Sequence, residues 1–340
     1  MKSEILKLGM RRAFVATCLL FLLLPAGILI AQDNPAVEQT EPAVKKPKPV
    51  KNTFQSVWII DNQTILVPVK KTFEMDIMHR FGLWNKGYDD FWGFFAPSNI
   101  RLGFSYVPID RLNVGLGVTK SSMAIIPYAE KPSSVSGPIW DGSVKYSLIT
   151  QTKGKYPVSV SYYGNAAYNT RKDKNKEIFK NYSDRLTYFH QLLIARKVTD
   201  KLSVQIAPSL SHQNLVNGYL VKVNDSTAKA RPEMLHDHFA IALSARYKLT
   251  EVTAVTMNYD QPITKHTRNN PNPNFSLGLE FTTSSHSFQV FFTSYQNMIP
   301  QINNLYNTND PLNHKIKADG GYPWSPEFLI GFNITRLWNY

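Results

Sequence analysis

Twelve stretches of the chain between about residue 73 and the C-terminus alternate apolar with polar residues. One of them places Ile100, Leu102, Phe104 and Tyr106 on a single face. A period of two over about ten residues indicates a β-strand with one face in an apolar medium and the other in a polar one. The connectors between the stretches alternate between long and short, and this rhythm is typical of a closed transmembrane β-barrel.

The predicted strands have a length that suits an outer membrane. At about 3.3 Å per residue and a tilt of ~40°, about ten residues rise roughly 25 Å, which matches the apolar band of such a membrane. The sequence therefore predicts an all-β fold, a twelve-stranded antiparallel transmembrane β-barrel of the outer-membrane type over residues 72–340. The predicted strands cover residues 72–81, 98–108, 111–119, 138–149, 156–166, 185–198, 201–212, 237–249, 252–260, 274–283, 286–295 and 327–340.

The connectors assign the two ends of the barrel to opposite sides of the membrane. Outer-membrane barrels carry short turns on the periplasmic side and long loops outside, so we expect both termini of an even-stranded barrel in the periplasm. The last strand ends on the aromatic Tyr340 and resembles the C-terminal signal that outer-membrane proteins present to the barrel assembly machinery, which is therefore a predicted partner. The short connectors fall at residues 109–110, 150–155, 199–200, 250–251 and 284–285.

Three segments precede the predicted barrel. Residues 1–31 join a basic stretch to an apolar run, which predicts a cleaved signal peptide, with a single spanning helix as the competing interpretation. The Pro-rich and Lys-rich residues 32–53 cannot bury enough apolar surface to offset their ordering entropy, so we predict a disordered periplasmic linker that is available to a periplasmic partner. Residues 54–71 are a predicted N-terminal extension or hairpin.

The only cysteine, Cys18, lies in the predicted signal peptide, so the mature chain has no disulfide and no cysteine-ligated metal.

Sequence patterning excludes a helical membrane protein and argues against a soluble β fold. The formal net charge is +13, of which the predicted signal peptide contributes +3, and the excess indicates anionic surroundings without identifying a partner. No apolar run after residue 31 approaches the length of a spanning helix, which excludes a helical membrane protein. A soluble β-sandwich or lipocalin-like barrel has equally apolar inward faces, but the connector rhythm, the signal peptide and the aromatic C-terminus argue against it.

The polar faces of the predicted strands line the barrel interior. Their residues are mostly small or uncharged with acids and bases intermixed, which favours a narrow water-filled passage or a bound loop over a solid core of side chains. The pattern over residues 185–198 leaves open whether His190 or Gln191 is luminal. The cluster with the most charged residues forms either a constriction that selects solutes by charge or a set of luminal ion pairs that satisfy one another. These charged residues are Glu74, Asp76, Arg80 and Arg101.

Two of the predicted long loops have a biased composition. The first, residues 82–97, carries too much aromatic surface to stay in water, so it either plugs the lumen, sits at the outer headgroup level or binds a partner. Its aromatic residues are Trp84, Tyr88, Phe91, Trp92, Phe94 and Phe95. The third, around residues 171–180, is basic and is predicted to meet the phosphates of outer-leaflet glycolipid rather than nucleic acid.

No combination of residues reaches the standard of a catalytic or metal motif. A serine hydrolase needs a serine beside a histidine that an acid or amide orients, and only Ser211–His212 and Ser284–Ser285–His286 are local candidates. Both lie at strand ends, where polar residues are expected. His236–Asp237–His238 offers two histidines without an evident third ligand. We therefore assign no catalytic residue, no metal and no cofactor from the sequence.

Five segments of the predicted strands carry a recognisable pattern. They are residues 73–82, 98–103, 110–117, 190–197 and 331–334. Together they resemble an uncharacterised bacterial membrane β-barrel family, domain of unknown function 5777. The resemblance spans about residues 55 to 340 and implies an outer-membrane barrel of Bacteroidota-type bacteria, but it implies no established activity, so no functional residue is carried over from it.

The small, polar, mixed-charge interior makes a narrow passive channel, or an accessory barrel of an envelope system, the leading functional hypothesis. A lipid-modifying enzyme of the phospholipase or deacylase kind in the barrel wall is one alternative. A non-conducting platform that binds partners through the aromatic first loop is another.

Overall fold

The structure is a computed structural model that describes residues 48–121, 137–173, 175–176, 178–224, 227–310 and 327–339. The predicted signal peptide, the predicted linker up to residue 47 and the terminal Tyr340 lie outside the described residues.

Twelve strands close into one antiparallel barrel, in which each strand pairs with its neighbours along the chain and the last pairs with the first. The predicted barrel is confirmed, and every predicted strand overlaps an observed one. Numbered in chain order, β1 (Trp58–Ile59) and β2 (Asn62–Gln63) come first. The others are β3 (Thr72–Leu83), β4 (Asn99–Ile109), β5 (Leu112–Ser121), β6 (Ile139–Ile149), β7 (Ser159–Asn169), β8 (Leu186–Lys197), β9 (Leu202–Gln213), the separate hairpin β10 (Gly218–Asn224) and β11 (Thr227–Pro232), then β12 (Asp237–Lys248), β13 (Thr253–Pro262), β14 (Asn274–Thr282), β15 (His286–Thr293) and β16 (Leu329–Asn339).

Side chains alternate between the lumen and the outer surface because successive residues of a strand point to opposite faces. Along β4, Ile100, Leu102 and Phe104 are exposed on the outside, while Arg101 is buried in the lumen. Strand β8, whose facing the sequence left open, places Gln191 inside and His190 outside. An apolar exterior of this kind is what lipid requires of a barrel.

Besides β1 and β2, four elements of the described residues have regular structure outside the predicted strands. A short helix, α1 (Pro300–Tyr306), lies in the last long connector, and 3-10 helices cover Trp84–Asp90 and Tyr182–Arg185. The hairpin of β10 and β11 pairs only with itself and its residues are mostly exposed. Within the described ranges, no helix has both the length and the apolar composition to span a bilayer.

The N-terminal segment fills the barrel from within. Strands β1 and β2 pair as a small hairpin around Ile60 and Asp61, and both of these residues lie inside the barrel. Ile60 is fully buried, and Trp58 is 4% exposed. We call residues 50–66 the plug. The interior therefore contains a bound segment, which was one of the two arrangements that the small luminal residues favoured.

Helix α1 fills the end of the lumen that carries the long loops. Ile299 and Leu305 are fully buried, and Ile302 packs against Ile139 and Ala167 of the wall. The plug meets the segment that leads into α1, because Met298 belongs to the same buried cluster as Val57 and Trp58. The lumen of a twelve-stranded barrel is too wide for wall side chains alone to fill, which explains why two chain segments enter it.

The free energy of unfolding of a membrane barrel depends on how deep in the bilayer an outward-facing charge lies. We expect Leu116→Arg, in the middle of β5, to lower the free energy of unfolding by ~2 to 4 kcal/mol, because arginine at the bilayer midplane is poorly solvated. Urea titration of protein folded into lipid vesicles measures this change.

Ile109→Arg, at the end of β4, is the matched control. Its charge can reach the interface, so we expect a loss of only about 0 to 1 kcal/mol. Equal losses for the two variants would contradict the assignment of Leu116 to the lipid-facing midplane.

Candidate functional site

The tip of the plug is fixed to the wall by an ion pair between Asp61 and Arg80. The Arg80 Nη2 to Asp61 Oδ1 distance is 2.9 Å, and neither side chain is exposed. The other carboxylate oxygen of Asp61 accepts hydrogen bonds from Thr293 Oγ1 at 2.6 Å and Ser276 Oγ at 3.0 Å. The left-handed conformation of Ile60, with φ 54°, turns the hairpin so that Asp61 reaches the wall. Both carboxylate oxygens are therefore bonded in a site without solvent.

The remaining donors of Arg80 are also bonded. Its Nη1 donates to Asn333 Oδ1 and to the carbonyl of His79, both at 3.0 Å, and its guanidinium lies 4.5 Å from the centroid of the Phe291 ring. A buried ion pair is tolerated only when its other polar atoms are bonded, because both charges have lost their hydration. Arg80 meets this condition only while Asp61 of the plug is present.

Trp58 forms a second anchor. Its indole Nε1 donates to Asp76 Oδ2 at 3.0 Å, and the second oxygen of that carboxylate accepts from Thr335 Oγ1 at 3.0 Å. The Arg101 guanidinium lies 5.6 Å from the Trp58 ring centroid. Charged and polar wall groups from β3, β4 and β16 therefore surround one aromatic side chain of the plug.

The four charged residues singled out in the sequence are all buried in the lumen, but they do not pair with one another. Arg80 pairs with Asp61, and Arg101 pairs with Asp141 of β6 at 2.7 Å. The sequence interpretation of mutual ion pairs within the cluster omitted both of these acidic partners. Asp61 was missed because it lies outside the predicted strands.

Glu74 lies in a different environment from the other three. Both of its carboxylate oxygens are buried and make no hydrogen bond within the part of the chain that the structure describes. A small cavity of about 20 Å³ adjoins it, with Asn113 and Lys145 in the lining. This is room for about one water molecule. With the plug in place, the lumen beside Glu74 therefore has little space for anything larger than water.

The plug makes further polar contacts on the other side of the lumen. Gln55 Oε1 accepts from Arg246 Nη2 at 2.7 Å, and Arg246 Nε also donates to Glu280 at 2.6 Å. Asn62 Nδ2 donates to Asp260 Oδ1 at 2.8 Å. The plug is therefore held around the circumference of the barrel rather than along one strand.

The plug enters the barrel at the end that carries the short turns. Val50 N donates to the carbonyl of Gln151 at 2.7 Å, and Pro49 forms an isolated bridge with Thr152. Lys197 Nζ donates to the carbonyl of Lys51 at 3.4 Å. The chain thus crosses the rim at one place, beside the connector between β6 and β7.

Outside the spanning strands, burial changes the acidity of two groups near α1 and the long loops. Burial raises the pKa of Tyr295, with further contributions from the carboxylates of Asp260 and Asp61. Tyr295 donates to Asn304 Oδ1 of α1 at 3.0 Å. Burial lowers the pKa of His266, whose Nε2 lies 2.9 Å from His238 Nδ1. Both groups favour the neutral form and serve as hydrogen-bonding groups.

The aromatic first loop folds back over the outside of the barrel. Phe94 packs against the outward-facing Phe81 with ring centroids 4.7 Å apart. The turn is tight, because a Cβ added to Gly82 would lie 2.3 Å from Ala96 Cβ, and Gly93 adopts φ 82°. Of the three arrangements that the sequence left open, the lumen plug is wrong for this loop.

The predicted binding residues of that loop divide into two groups. Trp84 packs edge-on against the outward Phe292 of β15, with centroids 5.2 Å apart. The other five are exposed, and Tyr88 and Phe95 are the most exposed at 79% and 81%. The exposed group consists of Tyr88, Phe91, Trp92, Phe94 and Phe95.

The serine and histidine candidates do not assemble a hydrolase site. Ser211 is buried in the lumen, whereas His212 points outward and contacts Asp237 at 2.7 Å. Ser285 Oγ lies 3.1 Å from His286 Nδ1, but no carboxylate orients that histidine among the described contacts. Across the described ranges, no group of three or more His, Cys, Asp or Glu residues is arranged to hold a metal ion.

Residues 54–338 match the family described as "Membrane bound beta barrel domain (DUF5777)". The chain belongs to this family. It is a membrane-bound β-barrel, and the match begins inside the plug and covers every barrel strand except the last residue of β16. No curated protein matches the chain by sequence.

Two solved porins and an outer membrane channel align with most of this chain at low sequence identity. The KdgM porin is 10% identical with a TM-score of 0.41, covering 78% of this chain and 99% of its own. The NanC porin is 9% identical with a TM-score of 0.41, covering 79% and 99%. The COG4313 outer membrane channel from Pseudomonas putida F1 is 12% identical with a TM-score of 0.43, covering 80% and 97%.

The Asp61–Arg80 pair predicts that the plug can be released by one substitution. Asp61→Ala leaves a buried arginine without its counter-ion, which costs ~3 to 5 kcal/mol and is relieved when the plug leaves and water enters. We expect the plug to become sensitive to limited proteolysis while the barrel stays resistant.

Two variants control this measurement. Glu251→Ala removes the exposed pair with Lys248, in which Glu251 is 87% exposed, so we expect no change in plug cleavage. Asp61→Leu combined with Arg80→Met removes both charges and should recover most of the resistance. A protected plug in Asp61→Ala would show that the ion pair does not hold it.

Proposed function

We propose that the protein is an outer-membrane channel that is closed at rest by the plug and α1, with both termini in the periplasm. The observation that carries this proposal is the way in which the lumen is closed. Two chain segments occupy it, and their buried residues pack against side chains of the wall. A segment can leave its site without any change in the strand pairing of the barrel.

The contacts beneath the plug support a reversible closure. Gln289, Asn258 and Asn333 are wall residues that bond to the plug and are buried by it. Polar groups of this kind regain hydrogen bonds from water when a lumen fills, whereas exposure of an apolar core has no such compensation. Buried apolar residues of the plug, such as Ile59 and Ile60, oppose release and keep the resting state closed.

The position of the plug would allow a periplasmic partner to control its release. The plug enters at the short-turn end, which in outer-membrane barrels faces the periplasm. The predicted linker leads directly into it, so a protein that binds the linker has access to the closed gate. The family match that starts at residue 54 supports the plug as part of the conserved domain rather than an appended tail.

The opposite end carries surfaces that suit the outer leaflet. The exposed aromatics of the first loop continue the outward-facing Phe81, and we propose that they lie among lipid at the headgroup level. Lys172, Lys176 and Lys180 are exposed on the third loop and are placed to meet glycolipid phosphates.

Conductance in a planar bilayer tests the proposed channel. We expect the wild-type chain to be nearly silent, since both halves of the lumen are filled. A variant that lacks residues 48–66 should show small conductance steps. Replacing residues 299–306 by a Gly-Ser linker in addition should give larger steps, because both obstructions are then gone.

A deletion of residues 34–47 is the matched control, because it shortens the chain before the plug and keeps the plug intact. This variant should stay silent. Each variant is first shown to be folded by its heat-modifiable migration in a gel. A folded double variant without conductance would overturn the channel and leave a non-conducting structural barrel.

A further inference from the structure

The wall of the lumen binds the peptide groups of the plug as well as its side chains. Besides the Lys51 carbonyl at the rim, six plug carbonyls accept hydrogen bonds from wall side chains, at donor to acceptor distances between 2.6 and 3.1 Å. The donors are Asn258, Asn333, Gln205, Gln289, Lys145 and Ser161. Every peptide chain offers such carbonyls regardless of its sequence, so these contacts do not depend on the identity of the plug residues.

Two glutamines each make a pair of contacts with the backbone of the plug. Gln289 Oε1 accepts from Ile60 N at 2.9 Å, while its Nε2 donates to the carbonyl of Trp58 at 2.8 Å. Gln205 repeats the pattern, accepting from Ile65 N at 3.1 Å and donating to the carbonyl of Gln63 at 2.7 Å.

In both cases one carboxamide joins a carbonyl to an N–H two residues further along the chain. In a parallel sheet, one residue of a neighbouring strand makes the same pair of bonds through its own N–H and C=O groups, and a carboxamide offers an equivalent donor and acceptor. Gln205 lies on β9 and Gln289 on β15, so the two contacts come from separate sectors of the wall. The lumen thus surrounds the segment with groups that bind its backbone.

We propose that the lumen is a binding site for the backbone of a polypeptide, which the plug occupies in the resting state and a second peptide segment occupies when the plug leaves. This inference rests on the proposed function, since the channel gives a second segment its access. Oligosaccharides also bind carboxamides, but a neutral sugar without amide groups lacks a peptide N–H and carbonyl at the spacing that Gln205 and Gln289 satisfy.

The test uses the full-length chain with Asp61→Ala to weaken the plug and Ile60→Cys as a reporter, with Cys18 replaced by serine. Ile60 is fully buried, so a maleimide labels the new cysteine only when the plug is out. A peptide that occupies the vacated lumen delays return of the plug. We therefore expect a synthetic peptide of residues 54–66 to accelerate labelling.

Chemical changes to the peptide separate backbone binding from other causes. N-methylation at both Ile60 and Ile65 removes the two N–H groups that donate hydrogen bonds to the glutamine side chains. It should therefore abolish the acceleration of labelling. N-methylation at Val57 is the matched control and should preserve it. A peptide of equal length with unrelated uncharged side chains should retain part of the effect, because the wall contacts the backbone.

Wall variants give an independent readout. Gln205→Leu and Gln289→Leu should each raise the peptide concentration that gives half-maximal acceleration of labelling by about tenfold, since each removes two hydrogen bonds. Gln191→Leu is the matched control, because Gln191 is luminal and 3% exposed but makes none of the described bonds to the plug.

The outcomes distinguish this inference from the channel. Acceleration by maltoheptaose and not by peptide would overturn the peptide site in favour of a saccharide site. No acceleration by any probe, in a barrel whose double variant conducts, would overturn the peptide site and leave the channel intact. Acceleration by the peptide with a silent double variant would retain the binding site and remove the channel.

Discussion

A closed ring of backbone hydrogen bonds is the constraint on which the rest of this structure depends. Lipid offers no partner for an unpaired peptide group, so the sheet has to close, and β16 pairs with β3 to close it. Twelve strands then enclose more space than wall side chains fill. The plug, α1 and the buried Asp61–Arg80 pair follow from that surplus of space, because anything that fills it must satisfy a polar wall.

The membrane-facing half of the molecule could be predicted because its determinants are local. Alternation along a strand directly reports the two media on its two faces, as Ile100, Leu102 and Phe104 show. The alternation was ambiguous only in β8, where Phe189 and Leu193 face inward and the polar His190 faces outward. These inward apolar residues belong to the buried cluster that packs against Ile65 of the plug. Tertiary contact with a second segment therefore overrode the local pattern.

The luminal site could be predicted only in part. Glu74, Asp76, Arg80 and Arg101 were identified as charged luminal residues, yet their partners could not be deduced. Asp61 and Asn333 bond to Arg80 from 19 and 253 residues away along the chain. Two-residue strands such as β1 and β2 are too short to show a periodicity, and the bonds of the plug are spread over most of the wall strands. No local signal in the sequence encodes so distributed a set of contacts.

The point at which the chain leaves the barrel determines how the closed state resists mechanical load. Val50 is fixed to Gln151 at one position on the rim, so tension on the preceding chain acts off the barrel axis. From the rim inward, the chain is bonded first at Val50 and Lys51 and then at Gln55 and Trp58. We therefore expect a pull on the preceding chain to load these contacts one after another rather than all at once.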